Sequence, residues 1–458
     1  MKRSLLAQTL LLTVLFVLGT ANHAHAQSYS VIYNLGDHTG DPLNPQELGV
    51  IAQGRDGNLY TTTPNGGSSR IGTALKLTPS GKLTVLTNFA YAYSGLSLGT
   101  DANFYGSTYY TGTSNAGTLF RIAPKGTLTT LYNFAGGNDG ANPYAPPIPA
   151  WDGNFYGTTV NAGAHACGTA YRITSKSNLT TLFEFDGTLH GCHPIGPLIQ
   201  AGDGNLYGTT QYGGANNTGT VFKMTLSGAV TLLHSFDNAV FYTPQAALIQ
   251  GSDGNFYGTT PAGGTGNAGL VFKITPKGGF TVLHSLNGTT DGAAPYAGLA
   301  QATDGNLYGV AWKAGNGYGT IFKLTTTGKF SVVHNFNDVD GYLPSVGLIQ
   351  HTNGVLYGNT QDGGDIHNTG VFFRVKITAK PFVSLLPILG KVGATIEFLG
   401  QGFTGTTKVS FNGVSANFTV VSSTYMTAVV PAGATTGAVT VTTPGGTLTS
   451  NKVFHVRP

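Results

Sequence analysis

One motif recurs along this chain and governs what it can fold into: an acidic or amide residue, a turn, then two residues leading into a tyrosine. It reads Asp56-Gly57-Asn58-Leu59-Tyr60 and Asp101-Ala102-Asn103-Phe104-Tyr105, then runs from Asp152 to Tyr156, Asp203 to Tyr207, Asp253 to Tyr257 and Asp304 to Tyr308, with a degenerate copy from Asn353 to Tyr357. The tyrosines follow one another at steps of 45 to 51 residues. A period of that length belongs to repeat architectures, in which each copy is one supersecondary unit that buries its apolar face against its neighbours.

The fifth copy displays the unit. Ala247-Leu248-Ile249-Gln250 reaches the Asp-Gly turn and Asn255-Phe256-Tyr257-Gly258-Thr259 leaves it, a β-hairpin signal. After a Gly-rich loop, Leu270-Val271-Phe272-Lys273-Ile274 passes through Pro276-Lys277-Gly278-Gly279 into Phe280-Thr281-Val282-Leu283-His284, a second hairpin. Four short antiparallel strands per copy, with no helical period in the mature chain, compose a propeller blade. The last copy stops after its third strand, Phe373-Arg374-Val375-Lys376-Ile377, and a stretch matching the missing fourth strand, Ser30 to Leu35, stands at the other terminus. The expected fold is therefore all-β. Residues 27–378 form a seven-bladed β-propeller closed by the N-terminal strand, and residues 379–458 an immunoglobulin-like β-sandwich. Closure removes free sheet edges, whereas an open stack needs polar caps that are not found.

Residues 1–26 have the order of a secretory signal, with Lys2 and Arg3 before an apolar run from Leu5 to Gly19 and Ala24-His25-Ala26 as the cleavage site. The run is too short to span a bilayer, and no later stretch approaches the roughly 20 apolar residues that spanning needs. Charged residues make up only 9% of the chain, against about 25% in ordinary soluble domains, and 68 residues are Gly. Without Lys2 and Arg3 the basic residues barely outnumber the acidic ones and form no block, which argues against a nucleic-acid partner. The composition approaches that of disordered chains, yet 25 Phe and 22 Tyr at regular intervals supply apolar area to bury. Cys167 and Cys192 fall just before a third strand and just after the fourth strand paired with it, which brings them to one rim as a disulfide of an oxidising compartment.

The recurrent DGN, YGT and VFK stretches resemble the GloVer-type tandem repeats of secreted bacterial proteins over about residues 44 to 377. That resemblance implies a propeller-like extracellular protein and brings no catalytic motif. Copies one and seven depart from the pattern, with Thr61 in place of the glycine after tyrosine and Asn353 in place of aspartate. From Pro381 onward, Phe398-Leu399-Gly400-Gln401-Gly402-Phe403, Val409-Ser410-Phe411-Asn412-Gly413, Val430-Pro431 and Val439 to Gly446 resemble an IPT/TIG domain. The resemblance implies a spacer or interaction module.

Propeller ligands commonly meet the rim built from the loops that join blades and the loops between second and third strands. Here those loops carry Asp139, Tyr144, Tyr242, Asp291, Tyr296, Asp340 and Tyr342 in the first class and Tyr110, His165, Tyr212, Trp312 and His367 in the second. Aromatic faces beside amides and carboxylates suit a glycan or a surface protein. The structural alternative is that Asp-Gly-x-x-Pro is a turn device and the rings pack between blades. Cutting a glycosidic bond takes two carboxylates at fixed separation. The innermost strands offer none, and the chain has three glutamates, Glu47, Glu184 and Glu397. The reading is thus a secreted or cell-surface binding protein without catalytic residues, metal or cofactor. A carbohydrate-active enzyme built from loop aspartates and a purely structural envelope protein stand as alternatives, and the oligomeric state is open. Gln53, Gln200, Gln250, Gln301 and Gln350 recur at the ends of first strands, where bonding to neighbouring backbone is their expected task. Lys76, Arg121, Arg172, Lys223, Lys273, Lys323 and Arg374 occupy one position in all seven copies, where their stems are expected to cover aromatic rings.

Overall fold

A computed structural model describes residues 27–45, 49–237, 243–314 and 317–458. The export signal expected over residues 1–26 lies outside the described residues, as does Tyr242. No described helix is long and apolar enough to cross a membrane, and the described secondary structure is β throughout.

Each repeat folds as a four-stranded antiparallel sheet in simple sequential order. In the fifth, Ile249–Gln250, Phe256–Thr260, Leu270–Ile274 and Phe280–Ser285 lie side by side. Six such sheets follow one another from Ala52 to Asn335. In a seventh, Ile349–Gln350, Leu356–Asn359 and Val371–Lys376 are joined by Ser28–Asn34, so the first and last strands of the array pair with each other. The second strand is buried along its whole length in every sheet, and the fourth is the most exposed. That gradient explains why the second strands read Phe/Leu-Tyr-Gly-Thr without polar alternation.

The recurrent motif is a self-contained hydrogen-bonded turn. In the fifth copy Asp253 accepts from the Asn255 backbone N–H at 3.1 Å, from the Asn255 amide at 2.8 Å and from the Tyr257 hydroxyl at 2.6 Å. The same tyrosine bond recurs on Asp56, Asp101, Asp152, Asp203 and Asp304. In the degenerate copy Asn353 donates to Tyr357 instead, at 3.1 Å. The aspartate thus closes an Asx turn and fixes the ring of a fully buried tyrosine.

Those rings join neighbouring sheets. Tyr60 stacks on Phe104, Tyr105 on Phe155 and Tyr207 on Phe256, with centroids 3.9 to 4.0 Å apart. Tyr357 of the last sheet packs in one cluster with Leu59 of the first. Glutamines reinforce the same seams. The side-chain oxygens of Gln200, Gln250, Gln301 and Gln350 accept from Trp151, Gly202, Ser252 and Thr303, each in the preceding sheet. Gln53 of the first sheet accepts from Thr352 of the last at 2.9 Å. The recurrent cations lie opposite the tyrosines in strand register, as Lys223 does opposite Tyr207, where it also meets Asp203 at 3.0 Å.

Beyond Pro381 two further four-stranded sheets face each other. Ser384–Leu386, Thr395–Leu399, Phe418–Val420 and Tyr425–Val429 form one; Lys408–Phe411, Val414–Ser415, Val439–Thr443 and Gly446–Thr449 form the other. Phe398, Met426, Val409, Phe411 and Val441 share the core between them. This sandwich sits on the side of the array that carries the Asp-Gly turns. Arg55 holds Glu397 through two bonds of 2.6 and 3.1 Å and lies 4.5 Å over the Tyr425 ring. Gln401 donates to Thr352 at 2.9 Å, and Arg457 to the Gly202 carbonyl at 3.2 Å.

Candidate functional site

The opposite side of the array is built from the connections between sheets and the loops between second and third strands. It is stapled by a recurrent device. The residue before a loop proline takes a left-handed conformation at Asn142, His193, Ala294 and Leu343, with φ between 53° and 58°. Its N–H donates to the preceding sheet, as Asn142 does to Ala116 and Ala294 to Ala268. Its carbonyl accepts from the following sheet, from Val160 and Trp312 in the same two cases. The left-handed backbone points the two groups opposite ways, so one residue bridges two sheets.

The loop aspartates serve that scaffold. Asp139 accepts from the Tyr132 hydroxyl at 3.1 Å and from the Ala135 and Gly137 backbones, and Asp291 holds His284 at 2.8 Å. Each carboxylate therefore faces the fourth strand of its own sheet. The aromatic residues fall into separate groups, one to a seam. Tyr296 meets Trp312 edge-on at 5.6 Å, with Lys313 lying 4.3 Å over the indole. Tyr212 meets His193 at 5.6 Å beside the Cys167–Cys192 disulfide. Tyr342 meets Tyr318 at 5.6 Å and accepts from Asn368.

Tyr144 belongs to a larger group. It stacks on Tyr93 at 5.7 Å and meets Tyr109 at 5.4 Å; Tyr109 contacts Tyr110 at 4.5 Å, and Tyr110 contacts Tyr91 at 5.7 Å. Five tyrosines thus form one continuous aromatic surface around the second sheet. Tyr91 and Tyr110 are 46% and 43% exposed, so two faces stand in solvent while the other rings support them. Burial raises the hydroxyl pKa of Tyr93 and Tyr109, which keeps both protonated as donors. Asn161 links the Tyr109 hydroxyl to the Asn142 carboxamide, placing amides beside the rings.

Of this group Tyr144 and Tyr110 stood among the loop residues singled out for ligand recognition. The signal for Tyr91 and Tyr93 was present in the shortest repeat step. The connection from Asn88 to Ser97 is shorter than that from Asn133 to Ile148, and it carries Tyr91-Ala92-Tyr93 in place of an Asp-Gly loop. Among the described residues one trio, Asp37, Asp365 and His367, brings ligand atoms within 4.8 Å of one another. A shared hydrogen bond raises Asp37 and lowers Asp365. Three exposed or half-exposed groups fall short of the six or more oxygens that calcium takes.

Two stretches of the chain, residues 44–252 and 242–420, match the Gloeobacter/Verrucomicrobia repeat. No functionally curated protein matches. Among solved structures the chain is similar to a streptogramin B lyase at 12% identity over 78% of this chain and 99% of that one, with a TM-score of 0.53. It is also similar to a fungal alcohol oxidase of the AA5 family in complex with copper, at 15% identity over 93% and 100% with a TM-score of 0.47. A putative gluconolactonase aligns at 11% identity over 78% and 93%, with a TM-score of 0.39. At such identities the likeness to the lyase concerns the fold alone, which is all-β and propeller-like, and the activities in those titles remain those of the other proteins. The two matched stretches together span well over half of the sequence, and on that ground the chain belongs to the Gloeobacter/Verrucomicrobia repeat family.

Proposed function

We propose that this is an exported, non-catalytic binding protein whose seven-bladed propeller, closed by the N-terminal strand, recognises glycan chains through the loop face of its second blade. In this reading residues 1–26 are the export signal. Residues 379–458 are an IPT/TIG-type immunoglobulin-like module that braces the opposite face.

The observation that carries the proposal is the five-tyrosine surface. Sugar rings offer apolar faces and hydroxyl edges, and a surface of aromatic rings bordered by the amides of Asn142 and Asn161 complements both. Export is supported by the Cys167–Cys192 disulfide, because such bonds persist in oxidising compartments. The non-catalytic reading is supported by Asp139 and Asp291, whose carboxylates are engaged by their own sheets.

The test is a glycan array probed with residues 27–458 and with a Tyr91→Ala/Tyr110→Ala/Tyr144→Ala variant. The wild-type chain is expected to retain a defined set of glycans, and the variant to lose them with its circular dichroism unchanged. An empty wild-type array, or the same set bound by both chains, rejects the proposal; retention of protein ligands alone rejects glycan as the ligand class.

A further inference from the structure

On the side of the array covered by the sandwich, the innermost strands of six of the seven sheets enclose a hollow of about 540 Å3. Ala52, Leu98, Ile249 and Leu348 wall it from the array, and Leu386 and Ile388 roof it from the sandwich. Two of its carboxamides are only partly engaged. The oxygens of Gln53 and Gln250 already accept from Thr352 and Gly202, and their amides donate once each, to Thr352 and Gly254. One N–H of each carboxamide therefore stays available. No aspartate or glutamate borders the hollow.

A single primary ammonium does. Lys452, on the loop between Gly446–Thr449 and His455–Arg457, lines the hollow and is accessible to it. Protein surrounds it densely enough that desolvation draws its pKa below the ordinary lysine value. None of the described residues gives its ammonium a hydrogen bond or an ion pair. Two carboxylates on this side of the array are engaged elsewhere, Glu397 with Arg55 at 2.6 Å and Asp203 with Lys223 at 3.0 Å. The other titratable group lining the hollow, His455, is held toward its neutral form by burial. Lys452 is exposed, so its ammonium is open to a counter-charge, and no carboxylate of the hollow's lining supplies one.

We propose that this hollow binds a small organic monocarboxylate, its apolar body against Leu98, Ile249, Leu348 and Ile388 and its carboxylate on Lys452. The volume falls within the range of small-molecule sites, and apolar walls with one placed charge are their usual make-up. A second hollow of about 520 Å3, between the Ala302–Gly305 turn and residues 378–382, shares Ser252, Gln301 and Asn451 with the first and supplies a lateral way in. The site lies across the array from the tyrosine surface, so either site can fail without the other.

Titration calorimetry of residues 27–458 with octanoate and with 1-octanol tests this. Octanoate is expected to bind, and octanol roughly tenfold or more weakly, because only the acid brings a charge to meet Lys452. Lys452→Met should remove the preference for the acid, and Lys452→Arg should keep it. Where Lys452→Met lowers stability, Ala300→Phe provides a second probe by filling the hollow from the array side, and it should abolish binding of both compounds. Failure of octanoate to bind, equal binding of acid and alcohol, or an unchanged preference in folded Lys452→Met overturns the proposal. Loss of octanoate binding in the Tyr91→Ala/Tyr110→Ala/Tyr144→Ala variant overturns its location.

Discussion

The Asp–Tyr bond of each turn ties a buried ring to a surface carboxylate, and its acid sensitivity follows in sign. Burial alone raises the carboxyls of Asp101, Asp203 and Asp253, but hydrogen bonds from the following Asn and Tyr outweigh it, with Lys223 adding to Asp203, and all three are held below the ordinary aspartate range. A carboxyl depressed in the folded state contributes stability that is complete above its unfolded value near ~4 and is lost as pH falls through its folded value. The melting temperature should therefore hold level from neutral pH down to about pH 5 and drop steeply below about pH 4. A flat acid limb in calorimetry would contradict this. Tyr257→Phe keeps the packing and removes the 2.6 Å bond to Asp253. Urea unfolding should show a loss of about 1.5–3 kcal/mol, the worth of a hydrogen bond to a charged acceptor.

At the level of the strand pair, the sequence holds a covariation whose reason is steric. The glycine after the motif tyrosine lies directly opposite an aromatic residue of the third strand: Gly106 faces Phe120, Gly208 faces Phe222 and Gly258 faces Phe272. A Cβ on Gly258 would come within 2.5 Å of the Phe272 ring. The first copy carries Thr61 instead, and there the opposite residue is Leu75. The departure seen in copy one is thus half of a compensated pair. Gly258→Ala should cost about 1–3 kcal/mol by overpacking, and adding Phe272→Leu should recover part of that loss. A double-mutant cycle with coupling near zero would refute the steric account. The Cys167–Cys192 bond closes a separation of 25 residues across one sheet. Replacing both cysteines by serine should lower stability by about 3 kcal/mol in urea titrations, and unchanged midpoints in reducing and oxidising buffer would count against that.

Two long-range contacts can be tested at the scale of the whole molecule. Ser28–Asn34 covers the edge of Val371–Lys376, and Leu35 enters the cluster that contains Tyr357 and Leu59. A chain beginning at residue 37 would leave that strand edge unpaired and should elute as soluble aggregate in size-exclusion chromatography, since open edges template association. A monodisperse monomer would show the strand to be dispensable. Arg55 and Glu397 join array and sandwich, with side chains 24% and 10% exposed. Arg55→Ala leaves Glu397 enclosed without its cation. After allowance for partial exposure, the expected loss is about 2–3 kcal/mol, with faster proteolysis in the segment from 378 to 383.

The array was legible in the sequence because its grammar is local. An Asp-Gly turn, a hairpin and the next hairpin lie within one repeat, and counting strands at both ends assigned Ser30 to Leu35 to the sheet of Phe373 to Ile377, the region where Ser28–Asn34 and Val371–Lys376 pair. Composition and cysteine placement likewise foretold the disulfide. The sites were not legible to the same degree. Asp139 and Asp291 read equally as ligand groups or as parts of a turn, with no sign of the fourth-strand tyrosine and histidine beside them, and Tyr91, Tyr93 and Tyr109 gained meaning only through their shared surface with Tyr144. Lys452 is one unremarked lysine in a C-terminal loop, and only the docking of the sandwich on the array sets it over the hollow. Periodic spacing determines which strands form and pair, because those contacts repeat; where side chains from distant segments meet is fixed by packing, which no single repeat contains.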